Sequence, residues 1–521
     1  MDRREIESAR MLAPLHVVWY KRDLRVADHA PLAEAAARGP VLPLYIIEPS
    51  LLRAPDFDPC HWTFIRASLI ELRARLAGLG QPLVVRVGEV VEVLERLAQA
   101  APLAALWAHE ETGSLLTYRR DRAVIRWARG RGLPFHDLPQ TGVVRRLRDR
   151  DRWEGQYRAH MTAPQAQPPA RLTPMPGFDP GPIPEHAALG LAADVRTGAQ
   201  PAGEGAAHAL LNSFLRERGR RYQRAMSSPL SAAASCSRLS PHLAWGTISP
   251  RTAVQAAQAR LMEARARRDG WERSLTAFLN RLRWRSHFMQ KLEDEPEIET
   301  RSFIPAYDAL REGFRQPFLD AWAAGQTGYP FVDACLRALM HTGWLNFRMR
   351  AMIVSFAAYQ LWLPWQAFAT ARPCVWLDFE PGIHYPQFQM QSGTTGINTL
   401  RIYNPVKQSL DQDPDGAFIR RYLPELANVP TSFLHQPWLM PGRMQQSTGV
   451  VLGRDYPIPI VDHEAAARAA REAVWALRQG PAMQAAADAV RQKHASRRST
   501  RSGRRPAKRA DGPAQLPLLG F

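Results

Sequence analysis

Apolar positions in the first third of the chain fall into short runs separated by longer amphipathic stretches. His16–Tyr20, Val41–Ile47, Leu83–Val87, Leu103–His109 and Leu133–Leu138 are β-rich or continuously apolar over strand length. His61–Leu79, Val90–Ala98 and Arg119–Arg129 instead carry apolar residues at helical spacing. Strands alternating with helices predict a parallel α/β sheet. Between Met161 and Gly205 nine prolines and few large apolar residues predict a connector without a core. From His208 to about Leu477 the period becomes helical, as in Trp271–Leu292, Pro317–Ala324, Val332–His341 and Ala465–Leu477. Ala351–Ala371 carries no formal charge and reaches spanning length. Gln360, Pro364 and Gln366 interrupt it, and Arg350 and Arg372 bracket it, so it predicts two buried helical pieces broken at Pro364 rather than a membrane span. The expected plan is an α/β domain over residues 14–150, a Pro-rich linker over 151–205, an all-α domain over 206–480 and a basic, disordered tail over 481–521.

Composition adds a partner. The 521 residues are 45% hydrophobic, which excludes bulk disorder, and the net charge is +19. Arg491 to Phe521 holds nine Lys/Arg and one acid, so the body keeps +11 of that charge. A basic body is expected to meet a polyanion such as nucleic acid. Cys60, Cys236, Cys335 and Cys374 stand singly with no His at ligand spacing, so no zinc or iron–sulfur site is expected and no metal is assigned. Free thiols and the charged first eleven residues, which lack the apolar core of a secretory signal, suit a reducing cytoplasm.

The α/β half lacks G-x-G-x-x-G, G-x-x-x-x-G-K-[ST] and G-x-S-x-G, which removes the dinucleotide, Walker and hydrolase motifs. The helical half is richer. It holds Ser235-Cys-Ser-Arg-Leu-Ser240, Trp284-Arg285, Gly328-Tyr-Pro-x-Val-Asp-Ala334 and Thr342-Gly-Trp-x-x-x-Arg-x-Arg350. Hydroxyls and helix starts beside arginines suit a pyrophosphate, and the neighbouring tryptophans suit a flat aromatic cofactor. Each segment taken alone reads better as a helix cap or a surface ion pair; together they point to the cofactor.

The order of these segments resembles the photolyase/cryptochrome flavoprotein family over nearly the whole chain. Trp19-Tyr-Lys-Arg-Asp-Leu-Arg25 with Asp28 and Leu32 is similar to that family's opening strand and loop. Ser237-Arg-Leu-Ser-Pro-His-Leu-Ala-Trp-Gly246 with Ser249-Pro250, Gly328–Ala334, Thr342–Trp344, Arg401-Ile-Tyr-Asn-Pro405 and Phe418–Leu426 are similar to its flavin domain. The resemblance implies an N-terminal antenna-type α/β domain and a helical domain holding a U-shaped FAD. It implies Tyr222, Ser237, Leu239 and Ser240 at the FAD phosphates, and Arg285, Trp344, Arg350, Asp378 and His384 along the flavin. It also implies Arg281, Trp284 and Arg348 toward a lesion, Trp365 in an electron chain, and Met390 on the lesion-pocket wall. A second chromophore of folate or deazaflavin type is a further possibility that it raises.

Departures from the family pattern bear on function. His384 stands where dimer-repairing photolyases have an Asn facing flavin N5, and Phe388 and Met390 replace two tryptophans. Arg281 replaces a Glu, and Ala351 a Met, in the lesion pocket. Trp365 matches the middle member of the three-tryptophan chain, Phe388 takes the flavin-proximal place, and no Trp takes the distal one. The antenna-contacting Glu aligns near Ser114. Trp365, Trp362 and Trp376 are then the candidate rings for electron entry. His384, with a model imidazole titrating near pH 6.5, is expected to give pH dependence near neutrality. Two activities follow from the resemblance: light-driven repair, in which excited reduced FAD donates an electron to a flipped pyrimidine dimer in damaged DNA, and a cryptochrome-type blue-light photoreceptor. The basic body favours repair by a monomeric lyase.

Overall fold

The computed structural model of the chain describes residues 13–175, 177–371 and 376–496, so Cys374 and the tail from residue 497 lie outside the described residues. One parallel sheet has the order β3-β2-β1-β4-β5, formed by β1 (Leu15–Tyr20), β2 (Val41–Ile47), β3 (Val84–Val87), β4 (Leu103–His109) and β5 (Phe135–Leu138). These are the five expected runs. Helices α1 (Ala30–Ala36) and α2 (Pro59–Gly78) bury one face of the sheet with Val18 and Tyr20; α3 (Val90–Ala100) and α4 (Leu115–Gly130) bury the other with Val17 and Trp19. Burial on both faces explains why β1 is apolar without alternation. Asp58 starts α2 by accepting from Cys60 N at 2.9 Å, with Pro59 at the first helical position.

The 151–205 stretch is more structured than its composition suggested. It opens with α5 (Trp153–Thr162), whose Trp153, Tyr157 and Met161 are buried against the helical domain. Further on, Leu172, Met175 and Phe178 enter the α/β core, and Val85 N donates to Pro180 O at 2.8 Å. The connector thus covers β3, which would otherwise present a bare sheet edge. Prolines suit this role because they give stiff extended backbone that needs no ladder bonds of its own.

The main helices that follow are α6 (Glu204–Arg216), α7 (Pro250–Arg267), α8 (Glu272–Asp294), α9 (Gln316–Ala324), α10 (Pro330–Thr342), α11 (Phe347–Ser355), α12 (Trp365–Ala369), α13 (Pro381–Ser392), α14 (His463–Arg478) and α15 (Pro481–His494). The uncharged stretch from Ala351 continues α11 into a single wide turn, Phe356–Gln360, then breaks before Pro364 and resumes as α12. Among the described residues no helix is long and apolar enough to cross a membrane. The tail expectation fails at its start, because residues 481–494 are helical. This segment is Ala-rich, a strong helix-forming composition, and Val490 and His494 are buried; Glu295 accepts from Lys493 Nζ at 2.8 Å and His494 Nε2 at 2.9 Å.

The loop after β1 staples the two halves together. Arg22 stacks on Trp245 at 4.3 Å and donates to Ala244 O at 2.9 Å, while Arg25 donates to Gly246 O at 3.0 Å. Gly246 has φ +68°, and a Cβ there would sit 2.1 Å from Arg22 O, so only glycine permits the approach. Asp28 pairs with Arg251 at 3.0 Å, and Glu204 accepts from Val26 N at 3.0 Å and Ala27 N at 2.9 Å. Asp23 fixes the loop from inside: its Oδ2 accepts from His29 Nε2 at 2.9 Å and His109 Nδ1 at 2.8 Å, and its Oδ1 from Lys21 N at 2.7 Å. Burial pushes His109 down to about 3, so it is a neutral donor, and the two imidazoles hold the Asp23 carboxyl well below its usual range. The three side chains form a buried hydrogen-bonded knot beneath the loop.

Candidate functional site

Five segments of the helical half converge on one cradle. Tyr222, in a short helix, is buried, and the Arg281 guanidinium of α8 lies 5.2 Å from the Phe347 ring of α11. In the loop Ser237–Leu239, Ser237 Oγ accepts from Leu239 N at 3.4 Å, and Arg238 adopts φ +61°, an uncommon conformation for a residue with a side chain. Arg218 braces that loop by donating to Cys236 O and to Ser237 O at 3.4 Å. The turn aims Arg238 across the cradle onto Trp344, with the guanidinium 4.1 Å from the ring. Ser240 opens the short helix Ser240–Ala244, and Leu239 is buried behind it.

The opposite wall is built by ion pairs. Arg350 grips Asp378 through two parallel bonds of 2.9 Å, donates to Leu345 O at 2.6 Å, and lies 4.2 Å from the Trp376 ring. Local backbone makes this possible: Gly343, at φ +70°, ends α10, and its carbonyl accepts from Leu377 N at 3.1 Å. A Cβ at Gly343 would sit 2.9 Å from Leu377 Cβ and push Asp378 away. Arg285 pairs with Glu380 at 2.7 Å and donates to Leu243 O at 2.9 Å.

His384 does not behave as its composition-free pKa suggested. It is fully enclosed by Phe388 at 4.1 Å, Phe379 at 4.6 Å and Trp376 at 5.3 Å, and burial pushes it down to about 3. Its Nε2 faces Ala369 O at 2.7 Å, so Nε2 carries the proton and Nδ1 is left as an acceptor. The expected titration near neutrality is thus overturned by desolvation. Trp284 sits on α8 beside His287 at 4.8 Å and Phe288 at 5.8 Å, Met390 is buried on α13, which packs along α8, and Arg348 is half-buried on α11. Trp365 is buried in α12, 6.4 Å from Tyr385, while Trp362 lies under Arg311 at 5.0 Å.

Several polar atoms of this cradle are buried without a hydrogen-bond partner among the described residues: Arg238 Nε, Arg285 Nη1, Asn346 Oδ1, Arg348 Nε and His384 Nδ1. Guanidinium donors left open beside acceptors suit a ligand that is anionic in one part and offers ring N–H groups in another. Family models agree with this reading: DNA photolyase matches residues 16–156, and the FAD binding domain of DNA photolyase matches 278–476. A cryptochrome DASH of Gloeobacter violaceus is 31% identical over 88% of this chain and 95% of its own. The chain belongs to the DNA photolyase/cryptochrome family. A deoxyribodipyrimidine photo-lyase of Streptomyces griseus is also 31% identical, covering 86% of this chain and 96% of that one. A class III photolyase structure from Agrobacterium tumefaciens superposes with a TM-score of 0.79 at 26% identity, over 90% of this chain and 98% of that one.

The FAD of this photolyase/cryptochrome domain fits the orphaned donors and acceptors of the cradle. Arg238, Asn346 and Glu380 were not singled out from sequence, although Arg238 lies inside a family segment. Asn346 Nδ2 holds Met226 O at 3.1 Å and Ser227 O at 2.7 Å, which ties the loop after Tyr222 to α11. A second cleft opens at the carboxyl ends of β1 and β2 and reaches the helical half. Tyr20, Glu48, Asp56, Ser114, Arg120 and Trp245 are among its lining residues. Arg120 there bridges Glu48 at 3.1 Å, Glu111 at 2.6 Å and Asp121 at 2.8 Å, and burial lifts Glu48 to about 7.

Proposed function

We propose that this protein is a light-driven DNA-repair lyase acting on pyrimidine dimers. FAD, when bound and reduced, would supply the light-driven one-electron chemistry of dimer splitting. The chain's own residues bind and orient. Arg238, Ser237, Ser240 and Tyr222 hold the phosphates, and the Arg350–Asp378 and Arg285–Glu380 pairs set the flavin wall. Trp284 offers a stacking face to an extruded base, with Arg348 on α11 as a phosphate-seeking cation, while Arg283, 6.0 Å from the ring, is held by Glu154 at 2.6 Å. His384 Nδ1, locked as an acceptor, favours a flavin that carries a proton at the facing nitrogen. Glu48, Arg120 and Ser114 make the second cleft the place for an antenna chromophore.

The observation that carries the repair reading is the stacking ring retained on a body that is basic even without its tail. A photoreceptor of cryptochrome type is favoured instead by the altered pocket, where Arg281 and Ala351 stand in place of the family's Glu and Met. Binding and illumination of duplexes carrying a cyclobutane dimer or a 6–4 photoproduct separate the two. Preference for one lesion and its light-dependent loss support repair. Flavin photochemistry without either supports the sensor.

A further inference from the structure

Trp365 is sealed in the core at 1% exposure, yet its indole N–H is not tied to a passive carbonyl. Trp365 Nε1 donates to Ser302 Oγ at 2.9 Å, and Ser302 Oγ in turn donates to Asp308 Oδ1 at 2.6 Å. Ser302 is wholly buried, whereas Asp308 is only partly so. The carboxylate is fixed by Ser302 N at Oδ2, 3.0 Å, and by Gln366 Nε2 at Oδ1, 2.7 Å. All the donors in this chain point one way, from indole to carboxylate, the polarity a proton needs to leave the ring. No tryptophan stands at the distal place of the electron chain, so a hole arriving at Trp365 cannot be stabilised by moving on to a further indole there.

We propose that Ser302 and Asp308 form a proton relay that traps the hole at Trp365. Resting on the FAD reading above, the one-electron oxidant is an excited, oxidised flavin. One electron leaves the Trp365 ring, giving an indole radical cation, which is a far stronger acid than indole. Its N–H proton passes to Ser302 Oγ as the Ser302 hydroxyl proton passes to Asp308 Oδ1. The products are a neutral tryptophanyl radical, a protonated Asp308 and the oxidant reduced by one electron, with Ser302 unchanged. Loss of the proton removes the charge that would draw the electron back, so separation outlives simple recombination. Tyr385, 6.4 Å away, is the neighbouring ring that competes to refill the hole. Ser302 and Asp308 act through Trp365 and are relay residues.

The test is flash photolysis of full-length, FAD-loaded protein in H2O and D2O, with the cationic and neutral tryptophanyl radicals distinguished by transient absorption, in wild type and in Tyr385→Phe. The relay predicts a neutral radical whose formation slows in D2O. Ser302→Ala and Asp308→Asn should each lose the neutral radical and the isotope effect, Asp308→Glu should restore both, and Trp365→Phe should abolish the signal. Absence of an isotope effect in unmodified protein overturns the relay without any variant, and so does an unchanged neutral radical in both Ser302→Ala and Asp308→Asn. Dimer splitting by chemically reduced protein needs no Trp365 oxidation, so failure of repair and failure of the relay are read separately.

Discussion

Replacing Asp378 by Asn should separate the flavin wall from the rest of the fold. The change keeps side-chain size and removes the charge that faces Arg350. Arg350 then loses the opposing charge and one of its two 2.9 Å bonds, since the Asn amide keeps a single acceptor oxygen, while its side chain stays 13% exposed. Stranding one member of a buried pair costs about 3–5 kcal/mol. Arg350 keeps its bond to Leu345 O and its contact with Trp376, which places the loss near the lower end of that range. If about 3 kcal/mol is expressed in cofactor binding, FAD affinity falls roughly 100-fold. Fluorescence titration of the FAD-free chain measures that loss, and thermal unfolding of the same samples without FAD measures what the pair contributes to the fold alone. An FAD affinity equal to wild type, with only the melting temperature lowered, would refute the role of the pair in the flavin wall.

His384 is neutral well above its lowered pKa of about 3, so photoreduction spectra of wild type should not change between mildly acidic and mildly alkaline buffers. His384→Asn should alter the flavin species at every pH, and a wild-type transition near neutrality would show that His384 is solvated. Lys291 is buried over Phe288 at 4.7 Å and Phe303 at 5.8 Å, which lowers its ammonium from 10.5 to about 7. The unfolded chain therefore binds the extra proton between those values, stability rises with pH across that window, and Lys291→Met should flatten the rise in urea unfolding and stabilise the neutral-pH protein. An unchanged slope would exclude Lys291 as its source. Truncation after Ser496 removes seven Lys/Arg and one acid but spares α15; it should shallow the salt dependence of DNA binding without abolishing binding, as measured by anisotropy from low to moderate salt.

The five strands and the long helices were readable in the sequence because each buries a face whose period is set by its own backbone. What local pattern missed depended on distant partners. The connector's prolines concealed that Leu172, Met175 and Phe178 complete the α/β core, and the basic character of the C-terminal stretch concealed an Ala-rich helix whose end is tied to Glu295. At the site, residue types pointed to segments, but pairing did not follow from spacing. Arg281 lies over the Phe347 ring, and His384 lost its titration to the aromatic rings around it. Arg238 could be recognised only once its left-handed backbone aimed it at Trp344. Ser302 and Asp308 lie far from Trp365 in sequence and carry no motif.

The central claim is that reduced FAD in this protein splits pyrimidine dimers held against Trp284. Chemically reduced, FAD-replete protein should be mixed with dimer-containing duplex and illuminated with near-ultraviolet or blue light, and restored pyrimidines counted against a dark control, for wild type and Trp284→Ala. The account predicts light-dependent splitting in wild type that is severely reduced in Trp284→Ala, with Arg281→Ala weakening binding more than the yield from bound substrate. Fully reduced wild type that neither prefers a cyclobutane dimer or 6–4 photoproduct to undamaged DNA nor repairs either under light would contradict it and leave the photoreceptor reading in its place.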